Sequence, residues 1–99
     1  MHARTGTLEV DPSKIDDAIR QLESEQIPRY REQDGYKGFT VLADRGSGKV
    51  MGISFWENED ALRASDELGD AARSQVAETG QAKAEPVAER WEVLFDDMV

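Results

Sequence analysis

The chain has 99 residues and carries 21 acidic against 12 Lys and Arg side chains, a formal net charge of −9. Such a surface repels a phosphate backbone, and Lys14, Lys37, Lys49 and Lys83 are dispersed, so no nucleic acid partner is expected. Cysteine is absent, which excludes disulfides, thiolate nucleophiles and Cys-ligated metals; no apolar run approaches the roughly 18 residues of a membrane span.

Residues 1–9 also lack the apolar core of a signal peptide, so a soluble, cytoplasmic chain with one domain over residues 1–99 is expected. Residues 3–10 (ARTGTLEV) alternate loosely and read as a first strand. Asp11-Pro12-Ser13 punctuates, and Ser13 with Asp16 has the spacing of a capping box. Ile15, Ala18, Ile19, Leu22 and Gln26 then recur at helical spacing, with Asp16, Asp17, Arg20, Glu23 and Glu25 outward. Pro28 has no N–H to donate, which predicts a kink or break. The helix should resume toward Tyr30 and end near Gly35 in a left-handed cap.

Residues 36–44 (YKGFTVLAD) and 49–57 (KVMGISFWE) flank Arg45-Gly46-Ser47-Gly48. A strand follows these glycines, so they form a hairpin turn and not a phosphate loop. Asn58 caps a second helix, with Glu59 and Asp60 at the positive end of its dipole. Its inner face, Leu62, Ser65, Gly69, Ala72 and Val76, is small enough to approach a sheet closely, and Gly80 ends it. Residues 81–85 lead to a last strand, residues 86–95 (PVAERWEVLF).

Strand, helix, strand, strand, helix, strand is the order of a ferredoxin-like α+β fold, an antiparallel sheet with both helices on one side. Strand side chains alternate between the two faces. The apolar sets (Phe39, Val41, Ala43; Met51, Ile53, Phe55; Trp91, Val93, Phe95) are assigned to the helix side. The mixed sets (Thr5, Thr7; Gly38, Thr40, Leu42; Gly52, Ser54, Trp56; Arg90, Glu92, Leu94) are assigned to the other. That mixed face is too apolar for water, and covering it predicts a homodimer. Each fully buried Trp- or Leu-sized side chain would contribute roughly 1.5–3 kcal/mol.

Trp56 stands beside Gly52 and Ser54, which leave room next to an indole, so it is a candidate pocket wall; the alternative is a strand-end core residue. Trp91 shares its parity with Val93 and Phe95 and reads as core. Ser54, Thr40 and Tyr36 offer hydroxyls to a ligand, as does Tyr30, without a partner that would make any of them a nucleophile. Arg90 is placed to orient an anionic substrate, with Glu92 as a base if desolvated, or the two form an exposed ion pair. The sole histidine, His2, is a poor ligand or base unless the first strand pins it. Asp16-Asp17 and Asp96-Asp97 read as solvated surface, and no metal site is expected.

The stretch opening at Gly35, GYKGFTVLADRGSGKVMGISFWENEDALRAS, resembles the antibiotic biosynthesis monooxygenase (ABM)-like family of dimeric α/β-barrel proteins. The likeness rests on the aromatic/Gly opening of the second strand, the Gly hairpin, and Trp-Glu leading into an acidic helix start. It implies a sheet-to-sheet homodimer with a pocket in each protomer, between sheet and helices or near the dimer interface. Trp56 matches a tryptophan that walls the site. Members that oxidise polycyclic phenols use no metal or flavin, so no cofactor is implied. Their substrate anion reacts directly with oxygen, which calls for phenolate-stabilising donors and a dry slot. Gly52 stands where the quinone-forming members carry asparagine, and Leu62 where they carry tyrosine. The haem-degrading branch has a histidine on the second helix, and residues 62–76 contain none.

Two functions are expected from these readings. One is a cofactor-independent monooxygenase for a small aromatic or hydrophobic compound, with Trp56 stacking on the ring and Arg90, Tyr36 or Ser54 holding its oxygen. The other is a non-catalytic dimeric barrel that binds a hydrophobic small molecule or serves as an assembly or stress-response module.

Overall fold

A computed structural model describes residues 1–98. The central strand β1 (His2–Glu9) pairs antiparallel with β3 (Lys49–Trp56) on one side and β4 (Val87–Glu92) on the other. β2 (Tyr36–Asp44) adds to β3, giving the sheet order β2-β3-β1-β4. This is the expected ferredoxin-like α+β arrangement. Among the described residues, no helix is long and apolar enough to cross a membrane.

The first helical segment is capped two residues earlier than the capping-box spacing predicts. Asp11, not Ser13, is the cap: the Ser13 amide and hydroxyl donate to Asp11 Oδ1 at 2.9 and 2.7 Å. Pro12 explains this, because proline suits the first helical position and makes its predecessor the capping residue. A short 3-10 turn (Pro12–Lys14) then leads into α1 (Ile15–Gln21). The chain stays helical through a π turn (Leu22–Gln26) into α2 (Ile27–Arg31). Within that π turn the Ile27 amide donates to Leu22 O, five residues back. Pro28 therefore produces a change of helical register ahead of itself instead of a break. Gly35 takes the left-handed conformation at φ 81°.

Asn58 caps α3 (Glu59–Ala64), its Oδ1 accepting from the Ala61 amide at 2.8 Å. A break at Ser65 separates α3 from α4 (Asp66–Gly80). The expected small face is buried as a unit across that break, with Leu62, Ser65, Leu68, Gly69, Ala72 and Val76 all inward. Gly80 is the last helical residue, and the left-handed role passes to Gln81 at φ 55°. Glycine at position 80 serves proximity instead: a Cβ there would lie 2.6 Å from Val10 Cγ1.

The assignment of faces needs correction on two strands. Phe39 and Val41 of β2 do pack on the helix side, as expected. They pair with Ser54 and Gly52, so the helix-facing set of β3 is Val50, Gly52, Ser54 and Trp56. Met51, Ile53 and Phe55 point to the outer face instead. β4 is inverted likewise. Trp91 pairs with Ala3 and shares the outer face with Thr5, whereas Arg90 and Glu92 turn toward the helix side. Thr5, Thr7, Thr40 and Leu42 lie on the outer face as expected. A bulge between Tyr36 and Gly38 brings Tyr36 opposite Trp56 and onto the same side as Phe39, although the two are three residues apart.

The consequence is a sheet apolar on both sides. One side carries the core of Leu8, Val10, Ile15, Ala18, Leu22, Val50, Leu62 and Val76 with the aromatics Tyr30 and Trp56. The outer side leaves Leu42, Val87 and Trp91 more than half exposed. Every residue of β4 is exposed, because the helices cover β1, β3 and β2 and stop short of it. Residues 93–98 have no regular structure, so the last strand ends earlier than its sequence pattern suggested.

Candidate functional site

Small residues at helix-facing positions leave a hollow where the sheet meets α1 and α4. On the sheet it is lined by Gly6, Leu8, Phe39, Val41, Val50, Gly52 and Ser54; from the helices come Ile19, Leu22, Tyr30, Ala72 and Val76. Its volume is about 40 Å³, and a water needs about 10–15 Å³ measured in the same way. Gly52 is one source of this space: a Cβ there would sit 3.3 Å from Phe39 Cζ.

Two charged side chains line this apolar hollow, and both are arginines, Arg4 and Arg73. In a chain of net charge −9, the cavity thus carries the opposite sign. Arg4 is 5 % exposed and held on all sides. Its Nη1 donates to Ser65 Oγ at 2.9 Å and its Nη2 to Leu62 O at 2.9 Å, and Nη2 also pairs with Asp66. Burial lowers its pKa, with Asp66 opposing, and a guanidinium stays protonated in such a setting. Arg73 crosses the sheet over Gly6, where a Cβ would meet its Cδ at 2.9 Å, and its far end pairs with Asp70.

Polar groups of a second kind line the same hollow, with Ser54 paired across the strands to Arg4. Ser54 is buried, and its Oγ accepts a hydrogen bond from Trp56 Nε1 at 2.9 Å. A hydroxyl that accepts still has its own proton to give, and the bond from the indole polarises it in that direction. Burial raises the Tyr30 hydroxyl above its ordinary 10.0, with Arg4 opposing, so at neutral pH it is a neutral donor. The walls therefore combine an apolar slot, hydroxyl donors and fixed positive charge. That combination suits a small apolar body bearing an electron-rich oxygen, and the hollow has to widen from about 40 Å³ to admit a ring, since a cavity that binds benzene measures about 150 Å³.

The residues expected to bind a ligand are distributed unevenly around this hollow. Ser54 lines it directly. Trp56 is fully buried and lies behind the lining, with its ring centroid 6.0 Å from that of Tyr30 and 5.6 Å from that of Tyr36. It backs the cavity through Ser54 and Tyr30 and does not wall it. Tyr36 sits in the same aromatic cluster, 6.0 Å from Tyr30 between centroids. Thr40 is exposed on the outer face, across the sheet from the hollow. Arg90 donates to Asp66 Oδ2 at 2.6 Å and lines a separate open groove with Arg4, Asp66, Asp70, Arg73 and Ala88. Its partner is Asp66 and not Glu92.

His2 is pinned in β1 between Trp56 and Glu92, and its Nδ1 is buried with no hydrogen-bond partner among the described residues. It lies outside the cavity lining. Arg4 and Arg73 are the functional candidates that sequence patterning missed. The available signal was the alternation Arg4, Gly6, Leu8, which puts Arg4 on the face that leucine marks as buried. Arg73 had a weaker one, its place beside Ala72 on the edge of the small helix face.

Comparison with known proteins places this geometry. The family model described as "Antibiotic biosynthesis monooxygenase" matches residues 1–79. Two uncharacterised proteins of Mycobacterium tuberculosis, Rv2558 and Rv2557, are 32% identical over 95 residues and 31% identical over 93. These matches cover 96% and 94% of this chain but 39% and 41% of the relatives, so the chain spans about two-fifths of their length. Among solved structures, the ActVA-Orf6 monooxygenase of Streptomyces coelicolor, in complex with nanaomycin D, superposes with a TM-score of 0.79 at 19% identity. That match covers 99% of this chain and 91% of the other. The haem degrader MhuD of M. tuberculosis, with two haems in its active site, gives 0.74 at 17% identity over 99% and 100% of the two chains. At these identities the structural likeness speaks for the fold, and the family model carries the assignment: the chain belongs to the antibiotic biosynthesis monooxygenase family.

Proposed function

We propose that this chain is a cofactor-independent monooxygenase that acts on a small aromatic or hydrophobic compound held between its sheet and helices. The observation that carries this reading is the apolar hollow whose polar lining consists of hydroxyl donors and arginines. A phenol bound there would find its ionised form favoured by Arg4 and Arg73, with the Ser54 and Tyr30 hydroxyls available to its oxygen. The apolar walls strengthen each of these contacts. Trp56 sets the Ser54 hydroxyl by donating to it. The complex of the ActVA-Orf6 monooxygenase with nanaomycin D supports a small-molecule ligand in this fold.

The proposed protein is cytoplasmic and works as a homodimer packed through the outer sheet face. The exposed Leu42, Val87 and Trp91 and the neighbouring Met51, Ile53 and Phe55 support that packing. The second reading, a non-catalytic barrel that binds a hydrophobic molecule, is favoured by one feature. No carboxylate or imidazole lines the cavity among the described residues, so proton removal from a substrate would fall to water or to the substrate's own acidity.

The test is oxygen uptake by purified protein with a panel of phenols and hydroquinones, alongside Ser54→Ala and Trp56→Ala. Uptake that falls at least tenfold in folded Ser54→Ala supports the enzyme. Ligand binding without oxygen uptake supports the second reading. Uptake unchanged in both variants contradicts the assigned site.

A further inference from the structure

The apolar hollow and the open groove beside it share two lining residues, Arg4 and Arg73. The groove, about 480 Å³, lies between α4 and the helix-facing side of β4 and is floored by Ala88 and Arg90. Arg73 forms the partition. Its aliphatic stem roofs the sheet at Gly6, and its guanidinium stands beside that of Arg4 over Gly69. A Cβ at position 69 would meet Arg4 Nη1 at 2.7 Å and Arg73 Nη1 at 3.1 Å. Glycine at this position makes the adjacent placement of two cations possible.

The counter-ions are not equivalent. Arg4 and Arg90 both bind Asp66, which is thereby held from two sides. Arg73 is only 17 % exposed, yet its partner Asp70 is 74 % exposed. A solvated carboxylate of that kind contributes little to an ion pair and is readily exchanged. Three arginines against Asp66 and Asp70 leave the groove one positive charge in excess, which matches a monoanion. A guanidinium fork is geometrically suited to a carboxylate.

We propose that Arg73 exchanges Asp70 for the carboxylate of an amphipathic acid whose ring or short chain inserts into the apolar hollow and widens it beyond its resting volume of about 40 Å³ while its head group lies in the groove. This deepens the functional reading above and rests on it for the location of the apolar part. It narrows the ligand class to small aryl or alkyl carboxylic acids. It also gives the groove a role that catalysis at Ser54 does not use. Arg4, committed to Ser65, Leu62 and Asp66, positions the site and keeps its partners when ligand arrives.

The test is calorimetric or ligand-observed NMR titration with 3-phenylpropionate and the near-isosteric 3-phenylpropionamide. It uses the parent chain, Arg73→Gln, Arg73→Lys and the cavity-filling Gly52→Val, each checked for folding by near-UV circular dichroism. The acid should bind the parent at least about tenfold more tightly than the amide, a difference of about 1.4 kcal/mol. Arg73→Gln should abolish that preference while leaving the amide unaffected, and Arg73→Lys should retain part of it. Gly52→Val should weaken both compounds. Equal affinity of acid and amide, or a preference that survives Arg73→Gln, overturns the carboxylate assignment and leaves the cavity reading standing. Acid binding that Gly52→Val does not weaken overturns the placement of the ring, and the cavity reading with it. No binding of either compound to folded parent chain overturns both.

Discussion

Truncating Trp91 to alanine should weaken self-association and cost the protomer about 2 kcal/mol. The indole lies on the outer sheet face and is 51 % exposed, with Nε1 donating to Thr5 Oγ1 at 2.9 Å. Complete burial of a side chain of this size contributes roughly 1.5–3 kcal/mol. About half of that has been gained within the protomer, so each copy has about 0.8–1.5 kcal/mol left to gain at an interface. A two-fold dimer contains the residue twice, which makes the predicted loss about 1.5–3 kcal/mol, or about 10- to 150-fold in Kd. The protomer itself gives up the half already buried, about 0.8–1.5 kcal/mol, and one hydrogen bond at an exposed site, worth about 1 kcal/mol. Sedimentation equilibrium on parent and variant over a concentration series measures the difference. A parent chain that stays monomeric on the order of 10 μM, or a variant with the parent's Kd, would refute the reasoning.

Arg4→Met should destabilise the fold by about 2–4 kcal/mol, lowering Tm by about 10 °C or more. The change removes the hydrogen bonds to Ser65 Oγ and Leu62 O and leaves Asp66 with Arg90 alone, and the figure is held down because Asp66 is 42 % exposed and Leu62 O still accepts from Ser65. Thermal denaturation checks it, and a variant within a degree or two of the parent would contradict it. Gly80→Ala places a Cβ 2.6 Å from the buried Val10. Overpacking costs about 1–3 kcal/mol and the gain in helix propensity returns up to about 1, so urea titration should find a net loss of up to about 2 kcal/mol. Asp11 and Asp16 have pKa values depressed below 3.8, chiefly by hydrogen bonds from Ser13 and Arg45 respectively. Their folded-state pKa is lower than the unfolded one, so their contribution is complete above 3.8 and disappears as pH falls through the depressed value. Asp16→Asn should therefore flatten the loss of stability below about pH 4, measured by denaturant unfolding across that range; an unchanged acid slope would contradict the assignment.

Much of the fold was legible in the residues because local rules and burial agreed. Leu62, Ser65, Gly69, Ala72 and Val76 repeat at helical spacing and are buried together, and the Gly/Ser hairpin and the Asn58 cap follow from turn chemistry. The faces of β3 and β4 were not legible from apolarity alone. Met51, Ile53, Phe55 and Trp91 are the greasier sets, but they lie outward, whereas the helices pack on the smaller Val50, Gly52 and Ser54. A sheet apolar on both sides removes the contrast on which alternation relies. The bulge near Lys37 hides a further switch of parity, putting Tyr36 with Phe39. The hollow beside Gly52 and Ser54 was foreseeable, since small residues next to an indole leave space. Its arginines were less so: alternation with Gly6 and Leu8 puts Arg4 on the buried face, but only the fold brings Arg4 and Arg73 together over Gly69.

Methyl-resolved NMR during titration with 3-phenylpropionate tests most directly whether a small molecule enters between sheet and helices. The methyls of Ile19, Leu22, Val41, Val50 and Val76 line that space, while those of Leu42, Ile53 and Val87 lie across the sheet. Saturable shifts in the first group, with the second group stationary, are the predicted result. Shifts confined to the outer-face methyls, or none in either group at saturating acid, would contradict it.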